Sequence, residues 1–196
     1  MNSLVDSRNV HSIKRDLVGV AAFIVFIWVV FALDYFLPLE QLGLVPRTFR
    51  GLTGIVAMPF LHGDFKHLLG NTMPLAVTML LLAGSRANSG GIVALITLLC
   101  GSGLWLFGRE ALHIGASGVV FGLIGFHVFA GLFEQRLQSV IISIVVGLLY
   151  ASTIVQGVMP FQQGVSWEGH LIGAISGAFV ALFTARMLRS NNQQTA

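Results

Sequence analysis

The chain has 196 residues, a formal net charge of +3, 55% hydrophobic side chains and only 10% charged ones. A water-soluble domain carries about 25% charged residues, so this composition excludes an ordinary soluble fold and calls for lipid as the solvent. The Lys and Arg residues are scattered between apolar runs, which excludes a phosphate-binding face for nucleic acid, and the single cysteine, Cys100, excludes an intrachain disulfide.

Six apolar runs approach membrane length. The first, 17–37, follows Lys14 and Arg15 as a signal segment would, but no small-x-small cleavage pattern comes after it, so it reads as a retained anchor. A partly apolar loop, 38–64, follows and is expected to lie in the outer membrane interface. The second span, 65–83, is less apolar because it carries His67, Asn71, Thr72 and Pro74. The others cover 90–108, 116–133, 137–156 and 169–187. Each is close to the roughly 20 residues that cross a bilayer, and lipid forces such segments to be helical. The organisation expected is a tail at 1–16, a six-helix membrane domain at 17–188 with a cap loop at 156–168, and a tail at 189–196.

Charge sets the orientation. With an inside N-terminus, Arg8, Lys14, Arg15, Arg86, Arg136, Arg186 and Arg189 fall inside, while Arg47, Arg50, Lys66 and Arg109 fall outside. The balance favours two cytoplasmic termini. The short N-terminus has no Arg-rich presequence, which points to a bacterial inner membrane rather than an organelle.

Polar groups inside spans are costly and mark function. His67 and Asn71, four residues apart, share a face at the start of the second span. Ser117, in Gly115-Ala116-Ser117-Gly118, opens the fourth, and His170 opens the sixth. In this topology all three lie near the outer leaflet. A serine hydroxyl needs a base to become a nucleophile, and a histidine can act as base and then acid. A helix N-terminus adds free N–H groups suited to an oxyanion. Gly118 and Gly122 on one span, and Gly173 and Gly177 on another, give two small-residue faces that would bring the imidazole toward the hydroxyl. Taken alone, a Gly-x-Ser-Gly is more often helix packing than chemistry, and a lone interfacial histidine is ambiguous.

Other groups fit the site less well. His127 lies too far along the fourth span and reads as a packing residue. His113 reads as a solvated loop residue, Glu168 as solvent-facing, His11 as part of the tail and Cys100 as an inert buried thiol. A rival reading takes His62, His67, His113 and His170 as metal ligands, but it ignores Gly115 to Gly118. A second rival, a non-catalytic escort of membrane clients, leaves the Ser and His unexplained.

Together the motifs His67-Leu68-Leu69-Gly70-Asn71, Gly115-Ala116-Ser117-Gly118 and His170-Leu171-Ile172-Gly173, on the second, fourth and sixth spans, resemble the rhomboid family of intramembrane serine proteases. The resemblance covers roughly 50–183. It implies an all-α six-helix bundle that hydrolyses peptide bonds in or near the membrane segments of other proteins, with no cofactor or metal. It implies Ser117 as nucleophile and His170 as general base without a third acid. His67, Asn71 and the Ser117 backbone N–H would hold the oxyanion, and Phe121 would stack on the histidine. Gly115, Gly118, Gly173 and Gly177 would support the site. Where many relatives carry a Trp-Arg pair in the first outer loop, this chain has Phe49-Arg50. Neither substrate nor oligomeric state is legible.

Overall fold

The computed structural model describes residues 7–85, 88–160 and 164–194. Its helices are α1 (Ser7–Asp34), α2 (Gly54–Ala57), α3 (Phe65–Ser85), α4 (Ser89–Phe107), α5 (Ser117–Glu134), α6 (Leu137–Gly157) and α7 (Trp167–Gln194). All but the short α2 are long and apolar enough to cross a membrane. The described residues contain no strand beyond an isolated bridge between Leu44 and His113. The architecture is a six-helix membrane bundle, as the apolar runs predict. α1 starts and α7 ends further toward the termini than those runs did, because Ser7–Ile13 and Arg189–Gln194 continue as helix after the apolar stretch stops. Arg86, used above in the charge balance, lies outside the described residues.

The central helix is α5. Val119, Leu123, Ile124, Phe126 and Ala130 along it are all buried, and it packs against α7, α6, α4 and α3. α6 and α1 turn most of their large side chains outward, among them Leu148, Leu149, Val25 and Phe26. Outward apolar faces are what lipid contact requires.

The α5–α7 contact is made by glycine. A Cβ added at Gly173 would strike the Gly118 carbonyl, one at Gly177 the Gly122 carbonyl, and one at Gly125 the Ala174 carbonyl. Backbone therefore lies on backbone over two turns. Between membrane helices no hydrophobic driving force exists, so close van der Waals approach is what holds them, and glycine permits it.

The 38–64 loop is ordered rather than loose. It contains 3₁₀ turns at Leu39–Leu42, Arg50–Leu52 and Met58–Phe60 beside α2. Gly51 and Gly54 sit so close to the Val45 and Leu44 backbones that no larger residue fits. The Arg50 side chain donates to the Gln41 carbonyl (3.2 Å), and Phe49 projects outward at 93% exposure. An exposed aromatic at this point suits a loop lying in the membrane interface.

Substituting Gly177→Ala should destabilise the protein by about 1–3 kcal/mol through overpacking. Gly147→Ala on α6, where an added Cβ meets nothing within 4 Å, should leave the midpoint within error. Thermal unfolding in detergent micelles compares the two.

Candidate functional site

Three loops, 35–64, 108–116 and 158–166, gather at one end of the bundle. Beneath them a cavity of about 780 Å³ is lined by His67, Asn71, Ser117, Phe121 and His170 among others. The second, fourth and sixth spans thus deliver their polar groups to one place.

α3 contributes the first pair. Asp64 caps the helix by accepting the His67 N–H at 2.7 Å, which fixes the first turn. His67 and Asn71 then share the cavity face. Pro74, one turn further, removes an N–H from the helix and leaves the Gly70 carbonyl without its helical donor, on the same cavity wall. Asn71 is buried at 6% exposure, and its Nδ2 has no hydrogen-bond partner among the described residues. A buried amide donor left unpaired is costly and rare, so it marks a position prepared for an acceptor.

α5 begins at Ser117. Gly115 just before it adopts φ +112°, a conformation side chains avoid. A Cβ there would also lie 2.5 Å from His67 Nε2 and 3.5 Å from Asn71 Nδ2. Glycine at this point therefore both makes the turn and admits the α3 pair to the backbone that leads into Ser117. No side chain caps α5, so its first N–H groups have no side-chain acceptor, and Ser117, the first residue of the helix, lines the cavity.

α7 brings His170. Its Nδ1 lies 2.8 Å from the Gly157 carbonyl. A carbonyl only accepts, so Nδ1 carries the proton and Nε2 is left as the basic nitrogen. The ring stacks on Phe121 with centroids 4.1 Å apart and 2° between planes. Phe121 is one turn after Ser117 on the same face of α5, so the imidazole lies over that face. Ser117 Oγ itself forms no hydrogen bond among the described residues.

Several groups missed by sequence reasoning complete the site. Gly157 ends α6, and a Cβ on it would strike the Phe121 ring and come within 3.1 Å of His170 Nδ1. Glu168 does not face solvent as expected. It is 8% exposed, with Oε1 3.6 Å from Arg109 Nε, and Arg109 also donates to the Val165 carbonyl at 2.8 Å. His113 is not solvated either, at 3% exposure, and burial chiefly holds its pKa below the ordinary histidine value. Both expectations failed for one reason: the burying partners lie on another loop, distant in sequence. The 156–168 segment is held at both ends by these contacts, and 161–163 within it lie outside the described residues. His127 Nε2 donates to the Thr78 carbonyl inside the core at 2.9 Å, a packing contact remote from the cavity. Cys100 is fully buried with Sγ 3.6 Å from the Gly169 carbonyl. Among the described residues no three His, Cys, Asp or Glu side chains converge as metal ligands. A second cavity, about 600 Å³, lies between α1, α3 and α4, and none of the expected site residues line it.

Comparison with known proteins agrees with this architecture. The rhomboid domain family model matches residues 50–187. The chain belongs to the rhomboid family, a family of intramembrane proteases. It is 38% identical over 154 residues to an uncharacterized protein of Mycobacterium tuberculosis strain H37Rv, a match covering 73% of this chain and 63% of that protein. It is 38% identical over 140 residues to an uncharacterized protein of Mycobacterium leprae strain TN, covering 66% and 55%. It is 29% identical over 130 residues to the "Putative rhomboid protease YdcA" of Bacillus subtilis strain 168, covering 63% and 62%. The chain thus spans less than two thirds of the length of these curated relatives.

His62, in the loop ahead of α3, gives the site a pH signature. It is 1% exposed and its Nε2 accepts the Ala116 N–H at 3.4 Å. Burial, aided by neighbouring His67, pushes its pKa from 6.5 down to about 4. The unfolded chain therefore binds the proton first as pH falls. The stability His62 contributes is complete above pH 6.5 and is lost as pH drops toward 4. The melting temperature of the wild type should fall across that window, and His62→Gln, which keeps an acceptor for Ala116, should show a shallower fall.

Proposed function

We propose that this protein is a serine-type intramembrane endopeptidase that cleaves other membrane proteins in or near their membrane segments. Ser117 is the nucleophile and His170 the general base. The observation that carries the reading is the shared cavity. It joins a hydroxyl at an uncapped helix N-terminus, an imidazole whose free nitrogen is basic, and an unpaired buried amide donor.

In this mechanism His170 Nε2 takes the Ser117 Oγ proton as the oxygen attacks a substrate carbonyl. The oxyanion is held by the Ser117 N–H, with His67 and Asn71 as further donors. His170 then protonates the departing amine, and a water, activated in the same way, hydrolyses the acyl-enzyme. Among the described residues no carboxylate forms a hydrogen bond or ion pair with the imidazole. The Gly157 carbonyl fixes the tautomer instead, and Phe121 holds the ring plane, doing with packing what an acid does in a triad. Gly115, Gly118, Gly173 and Gly177 act by close approach. Water enters the cavity past Arg109, His113 and Ser166 at its rim. No cofactor enters this chemistry.

The membrane domain is proposed at 17–188, with tails at 1–16 and 189–196, both cytoplasmic. The site then opens toward the outer side of a bacterial inner membrane, and the 156–168 segment covers it. The substrates are membrane-spanning proteins, presented from the bilayer.

Cleavage of a single-span model substrate in liposomes tests the reading. Ser117→Ala and His170→Ala should reduce turnover to background, and Asn71→Ala should lower it by about 100- to 1000-fold. Equal cleavage by wild type and Ser117→Ala would refute the assignment. Gly157→Ala, which drives a methyl into Phe121 and His170, should lose at least about tenfold in kcat while the helical signal by circular dichroism stays unchanged.

A further inference from the structure

His113 sits where the three outer loops meet. Its backbone pairs with Leu44 in both directions: the Leu44 N–H donates to the His113 carbonyl (3.0 Å), and the His113 N–H donates to the Leu44 carbonyl (2.8 Å). Two residues on, the Gly115 N–H donates to the Met58 carbonyl at 2.9 Å. The first loop thereby fixes the backbone that runs into Ser117.

The His113 imidazole reaches the other way. Nε2 lies 3.1 Å from the Arg109 carbonyl and Nδ1 lies 2.8 Å from Ser166 Oγ. The Arg109 carbonyl only accepts, so Nε2 carries the proton and Nδ1 accepts the Ser166 hydroxyl proton. The lone pairs of that same hydroxyl accept the Gly169 N–H at 3.3 Å, and the Ser166 carbonyl accepts the His170 N–H at 3.1 Å. Ser166 is therefore the N-cap of α7. A continuous chain of hydrogen bonds links the loop entering Ser117 to the helical turn that carries His170.

Such a link answers a mechanical problem. The glycine seam lets α5 and α7 approach, but glycine has no side chain to stop one helix sliding or turning on the other. One residue of slip moves α7 by about 1.5 Å and turns it by about 100°. A misplacement of about 1 Å at reacting groups costs on the order of 100-fold in rate. The axial register needs a stop, and the polar chain at the start of α7, with His113 buried and Ser166 half-buried, supplies one. We propose that His113, acting through Ser166, is a positioning residue that sets the register of His170 against Ser117. This rests on the dyad reading above.

The test uses the full chain in liposomes and reads kcat, KM and melting temperature with a single-span substrate. His113→Ala should lower kcat about 10- to 100-fold with KM within about twofold. His113→Asn, whose Oδ1 can accept the Ser166 proton, should recover most of that loss. Ser166→Ala should reproduce the His113→Ala loss, and the double variant should be no worse than either single one, since both break the same link. Ser166→Ala deletes a single oxygen and carries the test if His113→Ala fails to fold. Wild-type kcat in His113→Ala or Ser166→Ala, no advantage of His113→Asn over His113→Ala, or losses that multiply in the double variant would each overturn the positioning role. Ser117→Ala is run alongside. If it is inactive while His113→Ala is fully active, only the positioning role falls; if it cleaves normally, the dyad reading falls and the positioning role with it.

Discussion

Backbone-to-backbone contact between α5 and α7 is the constraint on which the rest of the structure depends. Gly118 against Gly173, and Gly122 against Gly177, leave no room for a methyl group between the two helices. In a membrane this closeness replaces the hydrophobic force that would hold helices together in water. It also fixes what can lie at the helix ends. With axes this near, the first turn of α5 and the first turn of α7 share one cavity, and Phe121 can stack flat on His170. Any side chain in the seam would separate the helices and the two polar groups with them.

The remainder of the fold serves that end of the bundle. α3 offers one polar face, with His67, Asn71 and Pro74 in succession, and α6 ends in the Gly157 carbonyl that orients the imidazole. The three loops at this end bind one another through the Leu44–His113 bridge, the Arg109–Glu168 pair and the His113–Ser166 hydrogen bond. The polar groups sit under these loops, where backbone amides and water can satisfy them. The helix surfaces facing lipid are left to Leu148, Val25 and similar side chains. The division is a physical one. Chemistry that develops charge needs donors and water, and the bilayer supplies neither.

Much of this was legible in the sequence because it is local. Apolar runs broken by Gly, Pro and charge gave the six spans to within a few residues on their membrane-facing portions. Spacings of three and four put Gly118 with Gly122, and His67 with Asn71, on shared faces, which needs only helical periodicity. What stayed hidden depends on partners far away in the chain. Glu168 looks like a surface carboxylate until Arg109 folds over it, and His113 looks like a loop histidine until Leu44 pairs with its backbone. Gly157 reads as a loop glycine, since its requirement comes from the Phe121 ring. Ser166 did leave a signal: a serine just ahead of Trp167 with an acidic Glu168 in the first turn is a helix start.

The most direct measurement is an experimental structure of the protein in a bilayer after reaction with a serine-directed phosphonate. Phosphorus should be bonded to Ser117 Oγ, with a phosphonyl oxygen about 2.7–3.1 Å from the Ser117 N–H and from Asn71 Nδ2. His170 should still be stacked on Phe121. An adduct on another residue, or a phosphonyl oxygen turned away with Asn71 still unpaired, would contradict it.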